Sequence, residues 1–232
     1  AGLIAGIGIG VWFLYGGFSL GAARPTPKAA GLVMPLLALA ILALLFFKPL
    51  FGPEGSGPIF FSAKGPGAAH APILISLGAG LVVGWLAQRT RFCTIGAVRD
   101  LIMVRDSHLF KGIAAFILAA FVTNMILGQF KPGFEGQPVA HTMQLWNFLG
   151  MVLSGLAFTL AGGCPGRMLI MSGEGDSDAG SFIIGMLVGA AFAHNFSLAS
   201  SGAGIGAFGA PATVIGLVFC LLVGFGFRNR MA

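Results

Sequence analysis

Charge is what this sequence has least of. Only 9% of its 232 residues are Asp, Glu, Lys or Arg, 13 basic against 7 acidic, where soluble domains carry about 25%. So few charges cannot cover a water-facing exterior, which excludes an ordinary soluble domain. With 56% hydrophobic residues the chain is not disordered either. Cysteine is scarce, three residues without a CxxC pair, so neither a disulfide framework nor a zinc ribbon fits the spacing. A Walker loop, an HExxH helix, a dinucleotide fingerprint and a nucleophile–base pair are all missing. The reading is therefore of a protein that is not an enzyme and takes no cofactor or metal. Glycine is plentiful, 38 residues, but without a G-X-Y period, so collagen is excluded. What remains is an integral membrane protein.

Seven continuous apolar stretches qualify as spanning helices: roughly 2–22, 30–47, 71–88, 110–128, 145–162, 181–199 and 211–227. They do not alternate as barrel strands do. The expected fold is all-α, a polytopic bundle of about seven spanning helices. The net charge of +6 lies in the short loops between runs, which reports orientation in the bilayer rather than a nucleic-acid partner. On alternating sides, Arg24, Lys28, Arg89, Arg91, Arg99, Arg105, Lys111, Arg167, Arg228 and Arg230 fall on one face, and Lys48, Lys64 and Lys131 on the other. Ten basic residues against three predict a cytoplasmic C-terminus in a multi-pass plasma-membrane protein. The chain opens Ala1-Gly2-Leu3 inside an apolar run with no basic front, unlike a signal peptide. The reading frame is expected to extend upstream.

Two further apolar pieces, Phe92 to Val104 and Pro165 to Met171, are too short to span, and read as re-entrant helices. Each has a cysteine at its start, Cys93 and Cys164. Gly84 to Cys93 and Gly155 to Cys164 both place a glycine nine residues before the thiol. A glycine (Gly96, Gly166), an arginine (Arg99, Arg167), acidic residues and a long helix follow each thiol. The repeat predicts two helix–hinge–short helix–long helix units running in the same sense. A thiol at such a hinge lies by a helix N-terminus, where free N–H groups and the macrodipole favour an anion. Pro165 suits the first helical position. Gly163 and Gly166 would let backbone approach a solute. A lone membrane cysteine is usually a small hydrophobe, and that reading is kept for Cys220. Two in matching hinges beside arginines point instead to Cys93 and Cys164 as binding groups. Arg167 and Arg99 would neutralise an anion, although Arg99 adjoins Asp100 and could equally pair with it. His194 and Asn195 put polar groups inside a spanning helix, facing either a pathway or another helix. His70, His108 and His141 receive no role. The glycine spacings 2/6/10, 17/21, 80/84 and 185/189 read as close helix packing.

The stretches GLVVGWLAQRTRFCTIGAVRD (80–100) and GLAFTLAGGCPGR (155–167) resemble the YeeE/YedE family of bacterial membrane transporters. SGEGDSDAG and GMLVGAAFAHNFSLASSG (185–202) are most similar to its selenium-associated YedE branch. The resemblance covers roughly 75–227. It implies uptake across the bacterial inner membrane of a small sulfur- or selenium-containing anion such as thiosulfate. It also implies that Cys93 and Cys164 relay the solute through weak S–H···S and S–H···O contacts. A cytoplasmic sulfur or selenium carrier protein is an implied partner. The implied organisation is an N-terminal transmembrane helix pair at 1–50, a Gly/Pro-rich external loop at 51–70 and a transporter core at 71–232. Family members resemble two such halves, so a preceding half, or a second chain supplying it, is expected. A membrane thiol–disulfide oxidoreductase and a soft-metal transporter using Cys, His and Met are the alternatives.

Overall fold

The computed structural model describes residues 1–21, 31–47, 71–133 and 141–228. The expected loop 51–70, His70 and the basic residues Arg24, Lys28, Lys48, Lys64 and Arg230 lie outside them. The described residues fold into nine helices: α1 Gly2–Tyr15, α2 Val33–Phe47, α3 Ile73–Thr90, α4 Thr94–Met103, α5 His108–Ile126, α6 Gln144–Leu160, α7 Pro165–Gly173, α8 Ser177–Asn195 and α9 Gly209–Gly226. Five helical stretches are long and apolar enough to cross a membrane: Ile73–Met103, His108–Ile126, Gln144–Gly173, Ser177–Asn195 and Gly209–Gly226. α1 and α2 are apolar but shorter. The protein is a polytopic helical membrane protein.

The expected first helix, 2–22, stops at Tyr15 because Gly17 turns the chain with φ +80° and Phe18 bridges to Arg228. The Arg228 guanidinium closes this latch. Its Nε donates to the Gly16 carbonyl at 3.0 Å, and its carbon stands 5.1 Å from the Trp12 ring centre. The last turns of α1 and α9 are thereby tied at one end of the bundle. The Tyr15 hydroxyl donates to the carbonyls of Ile102 and Met103 at 3.1 and 3.2 Å, bringing the end of α4 to the same place.

The centre is the α1–α6 seam. Glycines at every fourth position of α1 lie against α6: Gly2 and Gly6 meet its backbone at Phe148 and Val152, and Gly10 meets the Thr159 side chain. Residue numbers rise together on the two helices, so α1 and α6 run in the same direction. Gly155 returns the contact against Leu3 and Gly6. Without hydrophobic drive between helices in lipid, this close approach holds them by van der Waals packing. The same spacing at Gly80/Gly84 and Gly185/Gly189 meets no described atom within 4 Å. α1 packs on α6, α4 and α9, and α2 packs on α7. Cys220 of α9 is buried with Phe13, Phe18, Leu156 and Leu160, the small-hydrophobe role read for it. α3 and α5 bury none of their residues.

Candidate functional site

The two cysteine hinges are the same local structure built from different residues. α3 ends when Arg91 adopts the left-handed conformation (φ 51°, ψ 38°); the N–H of Arg91 then bonds Gln88 O and that of Phe92 bonds Ala87 O. α6 ends when Gly162 turns left-handed at φ +89°; Gly162 bonds Thr159 O and Gly163 bonds Phe158 O. Both are Schellman stops, each with its left-handed residue two positions before the cysteine. The thiol then begins the next helix. Cys93 is the N-cap of α4, its Sγ accepting the Gly96 N–H at 3.2 Å. Cys164 is the N-cap of α7, its Sγ accepting the Arg167 N–H at 3.4 Å. Pro165 occupies the first helical position of α7, where its missing N–H costs nothing. The repeat read from the sequence thus recurs as repeated hydrogen bonding.

The fold brings the two thiols together. Cys93 and Cys164 are buried in one cluster with Ile7, Val11 and Ile95. Ile7 and Val11 are positioned by the glycine seam, so α1 walls the pair. All three cysteines are free. Arg167 reaches Glu174 through Nη2 at 3.6 Å. Its buried Nη1 has no hydrogen-bond partner among the described residues. Buried donors are normally satisfied, so this nitrogen is available to an acceptor. Gly163 is buried against Met168, where a Cβ would stand 2.9 Å from the methionine methyl, whereas Gly166 borders open space.

The other expected residues are placed differently. Arg99 is engaged by its neighbour, Nε to Asp100 Oδ1 at 2.8 Å. His194 and Asn195 are exposed near the end of α8, about 16 Å along the helix beyond Ile183, which packs on α7. The Asn195 amide donates to Ala191 O at 2.7 Å within its own helix. Neither joins the cysteine cluster.

One feature was not legible in the sequence. A cleft of about 280 Å³ opens beside the first hinge, lined by Thr90, Phe92, Cys93, His108, Leu109 and Lys111 among others. His108 carried no role and Lys111 only an orienting one, because nothing in their spacing shows that the first turn of α5 folds back onto Cys93. Phe92 fixes that approach by its edge-on contact with Phe116, ring centres 5.6 Å apart.

A family model for sulphur transport matches residues 89–221, more than half of the chain and inclusive of both hinges. The chain belongs to this family. That is the YeeE/YedE family which the hinge sequences resemble. Among curated relatives, it is 34% identical over 100 residues to the thiosulfate transporter TsuA of Spirochaeta thermophila, an alignment covering 41% of this chain and 30% of that protein. It is 30% identical over 104 residues to the thiosulfate transporter TsuA of Escherichia coli K12, covering 44% of this chain and 29% of that protein. The aligned stretch therefore spans under a third of each relative's length. No solved structure matches.

Proposed function

We propose that this chain carries part of an inward path for a small sulfur- or selenium-containing anion such as thiosulfate, with Cys93 and Cys164 as the contacts that receive the chalcogen. The observation that carries this reading is the meeting of two thiols, one from each equivalent hinge, in a single buried cluster. A thiol is soft and polarizable, a fitting neighbour for a terminal sulfur or selenium. At rest each Sγ accepts a backbone N–H of the helix it begins. A solute can take over such weak contacts, and serial weak contacts let it leave again. The helix N-termini and the free Nη1 of Arg167 would offset the negative charge, with Gly163, Pro165 and Gly166 forming the turn beneath it. Arg99, His194 and Asn195 stand further back in this scheme.

The basic residues at the tied ends of α1, α4 and α9 make that end cytoplasmic, in the bacterial inner membrane. The remaining path comes from an upstream half or a second chain, and a cytoplasmic carrier would accept the sulfur or selenium. A second reading, thiol–disulfide exchange, draws on the same adjacency of Cys93 and Cys164. A Cys93–Cys164 bond on a diagonal thiol-trapping gel would favour it. For the soft-metal alternative, no group of three or more His, Cys, Asp or Glu among the described residues is placed to hold an ion. The transport reading is tested by uptake of labelled thiosulfate and labelled selenium oxyanions in cells bearing wild type or Cys164→Ala. Undiminished uptake by the variant removes the thiol from the mechanism.

A further inference from the structure

The two hinges share a backbone but differ in available charge. At the second, Arg167 keeps a buried nitrogen unpartnered among the described residues. At the first, the corresponding Arg99 is engaged by Asp100 at 2.8 Å. A cation comes instead from another helix: Lys111 lines the same cleft as the thiol, together with His108.

We infer that the cleft between the Cys93 hinge and the first turn of α5 is a separate anion station, where a small anion lies with its soft chalcogen end against Cys93 and its oxyanion end against Lys111 and His108. The inference rests on the transport reading and adds to it a second binding position and a basis for selectivity. At about 280 Å³ the cleft falls just below the roughly 300–1,000 Å³ of pockets that take drug-sized ligands, so it suits a small solute.

Its lining is divided in kind. Phe92 and Leu109 supply apolar wall beside the thiol, and His108 and Lys111 supply the polar edge. Thr90 adds no donor, because its hydroxyl is already given to Leu86 O at 2.8 Å. None of the cleft's lining residues is acidic. The nearest carboxylate in sequence, Asp106, accepts the His108 N–H at 2.8 Å at the start of α5. Lys111 makes no ion pair among the described residues. An anion with one weakly hydrated chalcogen end and one charged oxygen end matches this division. Sulfate, with four equivalent oxygens, has no soft end to set against the thiol and the apolar wall. The cleft borders the N-cap end of α4.

Alkylation of Cys93 by N-ethylmaleimide in native membrane vesicles, quantified by peptide mass spectrometry, tests this. Thiosulfate should protect Cys93 and sulfate should not. Lys111→Gln should raise the half-protecting thiosulfate concentration about ten-fold, the effect of losing one charge-assisted contact. Lys111→Arg should keep it within about three-fold of wild type, since a guanidinium serves an oxyanion as well. Cys164 labelling in the same samples should be equal in Lys111→Gln and wild type, which excludes a general loss of structure. Equal protection of Cys93 in Lys111→Gln and wild type, or equal protection by sulfate, overturns the station. If uptake still requires Cys164 in that event, the transport reading stands without it. If Lys111 governs protection while uptake ignores Cys164, the station stands and the relay falls.

Discussion

Gly6→Ala is the substitution that most directly probes how the cysteine pair is held. On Gly6 a Cβ would fall within van der Waals contact of the Val152 carbonyl oxygen and 2.8 Å from the Leu156 nitrogen. Both are α6 backbone, which no side-chain rotation can move. Comfortable separations are about 3.5–4.0 Å, so the helices must part by roughly 1 Å, and a gap of that size forfeits a quarter to a half of each contact it opens. Over-packing of this kind costs about 1–3 kcal/mol. The upper end applies here, because Ile7 and Leu156 beside the seam are fully buried. Gly8, two residues on, meets nothing within 4 Å. Gly8→Ala should be neutral or stabilising by about 0.5–1 kcal/mol through helix propensity alone. Thermal unfolding of the purified protein in detergent, followed by tryptophan fluorescence, compares the two. At roughly 2–4 °C per kcal/mol the Gly6 variant should melt several degrees below the Gly8 variant. It should also lose uptake, because Ile7 and Val11 wall the thiols. Equal midpoints for the two variants would refute the seam.

Further outcomes follow from other contacts. Phe13→Ala empties a fully buried site where the ring meets Trp12 and Phe225 edge-on, and should cost about 3–5 kcal/mol in the same unfolding assay. Arg228→Lys keeps the charge but loses the fork that bonds Gly16 and covers Trp12. It should cost about 1 kcal/mol, read as a lowered midpoint with uptake retained. Glu174→Gln removes the carboxylate 3.6 Å from Arg167 and leaves the guanidinium to the solute. The thiosulfate concentration for half-maximal uptake should fall several-fold, and an unchanged value would take Arg167 out of the path.

The helices were legible because continuous apolar runs bound them, and most ends lie within two or three residues of those read. α8 lies four residues earlier at both ends than read, and α1 departs most: its pattern continues past Tyr15, and the turn at Gly17 and the distant Arg228 stop it. The hinges were legible in the spacing of Gly84 to Cys93 and Gly155 to Cys164. How the first hinge turns was not, since an arginine there adopts the left-handed conformation that glycine takes in the second. Glycine spacing marked α1 and α3 alike, yet only α1 meets a backbone, because the choice belongs to the partner helix. Arg99 and Arg167 hold matching places in the repeat, and Asp100, visible beside Arg99 in the sequence, separates them. Lys111 and His108 reach Cys93 only through the tertiary packing of α5 on α4, which no local pattern encodes.

The central claim is that thiols from two equivalent hinges handle one solute together. Its most direct measurement is the initial rate of labelled thiosulfate uptake by Cys93→Ala, Cys164→Ala and the double variant, at matched membrane abundance. Each single variant should lose about ten-fold or more, equivalent to roughly 1.4 kcal/mol on the transport barrier. The double variant should fall little further, because the residues act as one unit. Wild-type rates in either single variant, or losses that simply multiply in the double, would contradict a shared site.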